Sequence, residues 1–366
     1  TYEGQLSLKT QKVKDVIERI GHQNPELVKP ALGPKDPWAY RNKMQMPVGG
    51  SKGDIQMGFY AMGSHDIVQG TNCPIQDEGN NIIAQACYQI AKEFDIEPYN
   101  EHTGKGILRH VIGRIGQSGW MIILVTATDH LPHQEKWVEK LTERIPQVET
   151  IVHNVNNKRT NVILGSKNHI LYGDGTITDH IKDLQFTLSP HSFFQVNPEQ
   201  TTVLYDQALA YADLKGDETV IDAYCGTGTI SLFLAHKAKH VIGIEIVEPA
   251  IINARENAQR NGYDNTEFIV ADAAVEMPKL YKAGVRPDVI VFDPIRAGCK
   301  EEVLTSAAGM EPKRIVYVSC NPATMARDIE ILTHYGYELQ EVQPVDMFPM
   351  TAHVEAVALL TRSEAM

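Results

Sequence analysis

The chain has 366 residues, 43% of them hydrophobic and 22% charged, with a formal net charge of -12. That composition fits a globular protein with a core, long enough for two domains at roughly 100–200 residues each. It offers no apolar run of the roughly 20 residues that a membrane helix needs. Five cysteines, odd in number and widely spaced, argue for reduced thiols and against a disulfide framework, so the cytoplasm is the expected compartment. The acid excess opposes wholesale phosphate binding, but it is uneven. Residues 1–185 hold 20 Lys+Arg and 21 Asp+Glu, and residues 186–366 hold the remaining 14 and 25, so the first half can carry a local basic face. The sequence starts at Thr1, and residues upstream of it are expected.

The pattern predicts an amphipathic opening helix over 5–20, then β-like runs at 107–115, 120–126, 150–155, 161–164 and 169–172. Helices are expected near 80–93 and 135–145, which gives an α+β texture without repeats. From about residue 185 the texture changes. ETVIDAY (from Glu218) reads as a strand, followed by a glycine-rich turn and a helix to about His236. The strand HVIGIEI (from His240), a helix over 249–261 and the strands TEFIVAD and DVIVFDP (from Asp288) follow. A helix after Cys299, the strand RIVYVSC (from Arg314) and a helix after Pro322 continue the alternation. This rhythm predicts an α/β fold, a parallel sheet with helices on both faces. Two last strands, near 337–347 and 353–361, lack a helical crossover and predict an antiparallel hairpin.

The turn DAYCGTGT (from Asp222) joins a strand to a helix, where glycines allow close approach of a ligand and free N–H groups can meet it. Glu245 ends the next strand, 17 residues after Gly228, where a carboxylate can bind both hydroxyls of a ribose. Asp272 follows the third strand, placed for an adenine edge. With no third glycine at GxGxxG spacing, a dinucleotide pyrophosphate is disfavoured. The plain reading, that both acids are loop residues, competes with their position at successive carboxyl ends of the sheet. Three further strand ends carry DPIR (from Asp293), SCNPAT (from Ser319) and HVEAVALL with Glu355. Asn321 can cap a helix beginning at Pro322, and the dipole there favours a Cys320 thiolate. Buried inert thiols are the reading for Cys225 and Cys299.

The ordered set FFQVN (from Phe193), DAYCGTGT, GIEI, DPIR, SCNP and HVE resembles the RNA uracil-C5 methyltransferase family, its bacterial 23S ribosomal RNA branch above all. YRNKMQMPVG (from Tyr40), GFYAMGSHDIV (from Gly58), NCPIQ and GILRHVIGRIG (from Gly106) are similar to that family's RNA-facing domain, so the resemblance spans nearly the whole chain. It implies a class I, Rossmann-like methyltransferase domain over 186–366, preceded by an α+β RNA-recognition domain over 1–185. It implies S-adenosylmethionine as cofactor, Cys320 as nucleophile and Glu355 as base. Gln195, Asp222, Tyr224, Gly226, Gly228, Thr229, Glu245, Asp272 and Asp293 would surround the cofactor, with Asp293 also facing the target base. Arg41, Lys43, Lys105, Arg109, His110, Arg114 and Phe193 are the candidate RNA contacts, against a plain reading of the charges as a solvated face, and Phe193 and Phe194 either stack on bases or pack in the core. A monomer acting on an unpaired or flipped-out uridine is expected, with no membrane partner.

Three departures stand out. Ile295 replaces the second proline usual after the Asp, the oligonucleotide-binding barrel usual ahead of the opening helix is not among these 366 residues, and of the four cysteines that hold an iron–sulfur cluster in many members only Cys73 is among them. One cysteine cannot hold a cluster, so none is expected in this sequence, while a longer native chain could supply the other three cysteines; no other metal is expected. The competing readings are a transfer-RNA uracil-C5 methyltransferase, an amino-group methyltransferase, and an RNA-binding factor without turnover. Arg296 stands where the amino-group enzymes need an aromatic residue, and intact Cys320 and Glu355 argue against the last.

Overall fold

The computed structural model describes residues 1–363. It divides into two compact units, Trp38–Val196 and Thr1–Pro37 joined with Asn197–Met366. This differs from the expected division at residue 185 in two ways: the boundary falls after Val196, and residues 1–37 belong with the C-terminal unit. Helix α1 (Tyr2–Arg19) buries Val13 and Ile17 in the same core as Met325, Ala326 and Ile329, so the opening segment folds with the C-terminal unit.

The unit of residues 38–196 contains strands β1 (Lys43–Ser51), β2 (Asp54–Tyr60) and β3 (Ile67–Gln69), then helix α2 (Glu78–Glu93). Strands β4 (Leu108–Ile115) and β5 (Trp120–Thr126), helix α3 (Gln134–Arg144), and strands β6 (Val148–Val155), β7 (Lys167–Tyr172), β8 (Ile177–Ile181) and β9 (Leu184–Leu188) complete it. Seven strands form one sheet in the order β3-β2-β1-β4-β5-β6-β7, and β8 and β9 make a separate hairpin. The pairing is antiparallel except between β5 and β6, which α3 links as a crossover. The expected strand at 161–164 is not formed. Asn156 Nδ2 donates to the carbonyls of Val162 and Ile163 at 2.7 and 3.0 Å, and Asn154 Nδ2 donates to Gly165 O at 2.8 Å. Side-chain amides thus take the acceptors that a strand ladder would need.

The second unit continues with helix α4 (Pro198–Ala212), strand β10 (Thr219–Asp222), helix α5 (Thr229–Ala235), strand β11 (His240–Glu245) and helix α6 (Glu248–Arg260). Strand β12 (Thr266–Val270), helix α7 (Ala273–Lys282), strand β13 (Val289–Phe292), helix α8 (Glu301–Gly309) and strand β14 (Arg314–Ser319) follow. Helix α9 (Pro322–His334) and strands β15 (Tyr337–Val345) and β16 (Glu355–Arg362) close it. The sheet order is β12-β11-β10-β13-β14-β16-β15, parallel as far as β14 and antiparallel at β16 and β15. This is the Rossmann-like methyltransferase architecture with its terminal hairpin. β13 is buried along its whole length, as a strand covered by helices on both faces must be. The strand order reverses between β10 and β13, and the carboxyl ends on either side of that switch are where such a sheet binds ligands.

Candidate active site

One half of the site is built on the ends of β10, β11 and β12. Gly226 and Gly228 adopt φ of 54° and 81°, the left-handed region that glycine enters without strain. A Cβ at Gly226 would meet nothing within 4 Å, so the turn lies open above that point. Glu245 leaves β11 half-buried; its Oε2 accepts from Gly226 N at 3.2 Å and its Oε1 from Val247 N at 2.9 Å. The carboxylate is therefore oriented by backbone, with acceptor capacity left for ribose hydroxyls. Asp222 is fully buried: Oδ2 accepts from Ser231 Oγ at 2.6 Å while Oδ1 has no donor, and burial pushes the carboxyl up to about 6. Asp272 caps α7 through Ala274 N at 2.9 Å, and Lys300 reaches its other oxygen at 2.9 Å. Thr229 opens α5, and half-buried Tyr224 lies against Cys299. An open glycine turn with carboxylates at successive strand ends fits a nucleoside-bearing cofactor.

The other half lies on β13, β14 and β16. Ser319 pairs with Ala356 in the antiparallel ladder, so Cys320 and Glu355 leave it side by side. Asp293 follows β13, the neighbour of β14. Asn321 caps α9 by accepting from Ala323 N at 3.3 Å, and Pro322 occupies the first turn, as the sequence predicts. Neither the Asp293 nor the Glu355 side-chain carboxyl receives a hydrogen bond among the described residues. Burial first, then the like charge of Asp293, pushes Glu355 up to about 8, and it is only 5% exposed. Burial and Asp222 push Asp293 up to about 7.

These carboxyls correct the expectation for the thiol. Burial, then Glu355 and Asp293, raises the Cys320 pKa, and the opposing pull of Arg296 is smaller. Burial above all, with the acidic neighbours beside it, favours the thiol form of Cys320 over the thiolate that the helix N-terminus alone would favour. Cys225 and Cys299 are buried and pushed upward by burial, as inert thiols are. A groove of about 720 Å³ beside α6 is lined by Gly262, Asp264 and Thr266, at the amino end of β12, and so lies off the carboxyl-end site.

The matched family model is described as tRNA (Uracil-5-)-methyltransferase and covers residues 121–363. An RNA methyltransferase of Bacillus cereus, named as uncharacterised, is 52% identical over 100% of this chain and 80% of its own length. A similarly named protein of Clostridium tetani is 48% identical over 99% of this chain and 79% of its own. The chain belongs to the RNA uracil-5-methyltransferase family. In solved structures, the tRNA (uracil-54, C5)-methyltransferase of Pyrococcus abyssi, in complex with S-adenosyl-L-homocysteine, is 27% identical. It superposes with a TM-score of 0.80, covering 99% of this chain and 84% of that one. The family is S-adenosylmethionine-dependent.

Membership leaves the details of this chain to its own geometry, and several of them escaped the sequence. Arg296 Nη2 bonds His353 Nδ1 at 2.9 Å, while its carbonyl accepts from Asn321 Nδ2 at 3.0 Å and Thr324 Oγ1 at 3.1 Å. The DPIR loop, the cysteine turn and the approach to Glu355 are thereby tied together. Asp328 of α9, fully buried, accepts from Cys299 N at 2.8 Å and from Tyr317 OH. Tyr2, Gln5, Lys9 and Lys12 form one stripe of α1 and hold the segment before Glu355. They bond Asp346 Oδ2 (2.8 Å), Met350 Sδ (3.1 Å), Asp346 Oδ1 (2.6 Å) and Ala352 O (3.0 Å) respectively.

The candidate RNA contacts lie in the 38–196 unit, and three of them are not solvent-facing grips. Arg109 is 4% exposed; its Nη1 donates to Asn156 O and Lys158 O, and its guanidinium stacks over Tyr99 at 4.4 Å. His110 is buried and pushed down to about 4 by burial and Arg109. Arg114 is 4% exposed and donates to Ser192 O. β4 is a central strand of its sheet, which is why residues that look like a surface charge series are enclosed. Lys105 is exposed, Arg41 and Lys43 are half-buried, and Phe193 is 74% exposed. Phe194 instead packs on Phe186, with ring centroids 5.5 Å apart. Gln195, which the resemblance assigns to the cofactor, is half-buried in this unit. Cys73 is half-buried, and among the described residues no group of three His, Cys, Asp or Glu is placed to hold a metal. No described helix is long and apolar enough to cross a membrane.

Proposed function

We propose that this protein methylates C5 of a specific uridine in 23S ribosomal RNA through a covalent adduct between Cys320 and C6 of the base. The observation that carries the reading is the side-by-side exit of Cys320 and Glu355 from paired strands, with Asp293 on the next strand. C5 of uracil is a weak nucleophile. Cys320 gives up its S–H proton to solvent, and bonding of the resulting thiolate to C6 converts the ring to an enolate whose C5 can take a methyl group. The cofactor, held by Gln195, Tyr224, Glu245, Asp272 and Asp293, supplies that methyl on a sulfonium. Glu355 then takes the C5 proton, the C5–C6 double bond re-forms and the C6–S bond breaks. Asp293 holds the polar edge of the uracil. A target inside a duplex cannot reach Cys320, so the uridine is unpaired or flipped out.

Support for ribosomal RNA comes from the motif set, which resembles the 23S branch most. A second reading, transfer RNA, is favoured by the substrate named for the Pyrococcus abyssi enzyme. Mapping 5-methyluridine in both RNAs from cells with and without the protein separates them. Loss of one 23S modification supports the proposal. An unchanged 23S pattern with loss from transfer RNA replaces it with the second reading.

A further inference from the structure

The 38–196 unit holds a concentration of positive charge that its own acids leave unanswered. Lys43 on β1 stands in register with Arg114 on β4. Arg41, two residues upstream, donates from Nε to Lys43 O at 3.1 Å. His191 feels both Arg114 and Lys43, and together with burial they lower its pKa. The ion pairs of this unit use other residues, and none includes Arg41, Lys43 or Arg114. Asp179 on β8 is the one acid that acts on Arg114, and it does so without a salt bridge.

Two features mark this cluster as incomplete. Arg114 is enclosed, yet its Nε has no acceptor. The Lys43 ammonium has no hydrogen bond among the described residues, and burial, then Arg114 and Arg41, pushes it down to about 7. An enclosed guanidinium and a half-buried ammonium set side by side without an acceptor between them are unfavourable, and an anion at this place would relieve them. The adjoining segment supplies a clue to which anion: Ser192, whose carbonyl Arg114 holds, is followed by the 74% exposed ring of Phe193. A cationic cluster beside a bare aromatic ring matches a phosphate next to an unstacked base.

We propose that Arg41, Lys43, Arg114 and His191 form a site for a phosphodiester of the substrate RNA, beside the base that meets Phe193. This rests on the reading of the protein as an RNA methyltransferase and adds where, and with what proton linkage, the RNA is gripped. Lys43 and Arg41 contact the phosphate, and Arg114, locked on Ser192, contributes its field. Because phosphate raises the pKa of Lys43 above its free value, binding takes up a proton. Affinity is highest below pH 7 and falls as pH rises through the free value toward the bound one.

The test uses the full chain and a short single-stranded RNA carrying a methylatable uridine, read by fluorescence anisotropy against pH and salt. Wild type should weaken several-fold between about pH 6 and about pH 9. Lys43→Arg, charged throughout, should keep its affinity and flatten that profile. Lys43→Met should bind about tenfold more weakly at low pH, with a salt slope shallower by about 0.7, as for one lost phosphate contact. Its melting temperature should not fall, since the Lys43 side chain makes no hydrogen bond or ion pair that the change removes, which shows that the weaker binding is not misfolding. If Lys43→Met matches wild type in affinity, salt slope and pH profile while wild type still methylates the RNA, the phosphate site is wrong and the function stands. If wild type transfers no methyl group to any RNA, the function itself falls.

Discussion

Lys9 and Asp346 form a buried ion pair at 2.6 Å, 5% and 0% exposed, although 337 residues separate them in the chain. Lys9 also donates to Phe348 O at 3.1 Å, and Tyr2 donates to the other oxygen of Asp346. The pair fastens the N-terminal helix to the segment that delivers Glu355.

Removing one partner should therefore damage both fold and chemistry. Lys9→Met leaves the Asp346 carboxylate buried and should cost about 3–5 kcal/mol of stability, read by denaturant unfolding. The double change Lys9→Met with Asp346→Leu should recover much of that loss. If the single change is neutral, the clasp does not hold the segment.

Cofactor affinity should depend on Glu245. Glu245→Ala removes the acceptor of Gly226 N and the proposed acceptor for the ribose, and should weaken binding by about 1.5–3 kcal/mol for each charged hydrogen bond lost. Glu245→Gln keeps an acceptor for Gly226 N and should lose less. Calorimetry with S-adenosyl-L-homocysteine that finds Ala, Gln and wild type alike would remove Glu245 from the site.

The acids around Cys320 make cofactor binding sensitive to charge. Asp293 and Glu355 are raised to about 7 and about 8, so near neutral pH both are substantially protonated in the free protein. A sulfonium placed among them favours their ionised forms, so S-adenosylmethionine should release protons on binding and gain affinity as pH rises from about 6 to about 8. S-adenosyl-L-homocysteine, whose sulfur is a neutral thioether, should release fewer. Calorimetry in buffers of different ionisation enthalpy measures this directly, and equal proton release for both ligands would contradict the raised values.

Much of this site could be read from the sequence because its residues sit at strand ends in order along the chain. The apolar strands with the turn DAYCGTGT, Glu245 and the SCNP cap are local signals, and the structure forms those strands and the cap within a few residues. Helices α4 and α7 were missed; α7 carries Pro278 in its interior, against the usual pattern. β1 to β3 were missed because Gly49, Gly50 and Gly58 interrupt their alternation. The Lys9–Asp346 and Arg296–His353 contacts join residues with no shared spacing, and no periodicity encodes them. The charge state of Cys320 was misjudged for the same reason. The helix N-terminus is visible in SCNP, whereas the carboxyls that oppose it arrive from other strands.

The most direct test of the mechanism is the Glu355→Gln protein incubated with target RNA and methyl-labelled S-adenosylmethionine, then run on a denaturing gel. If Glu355 takes the C5 proton, thiol addition and methyl transfer go ahead and elimination stops. A labelled protein–RNA band should then accumulate, and it should vanish when Cys320→Ala is added. Turnover of Glu355→Gln at the wild-type rate, or a labelled band that survives loss of Cys320, would contradict the assigned roles.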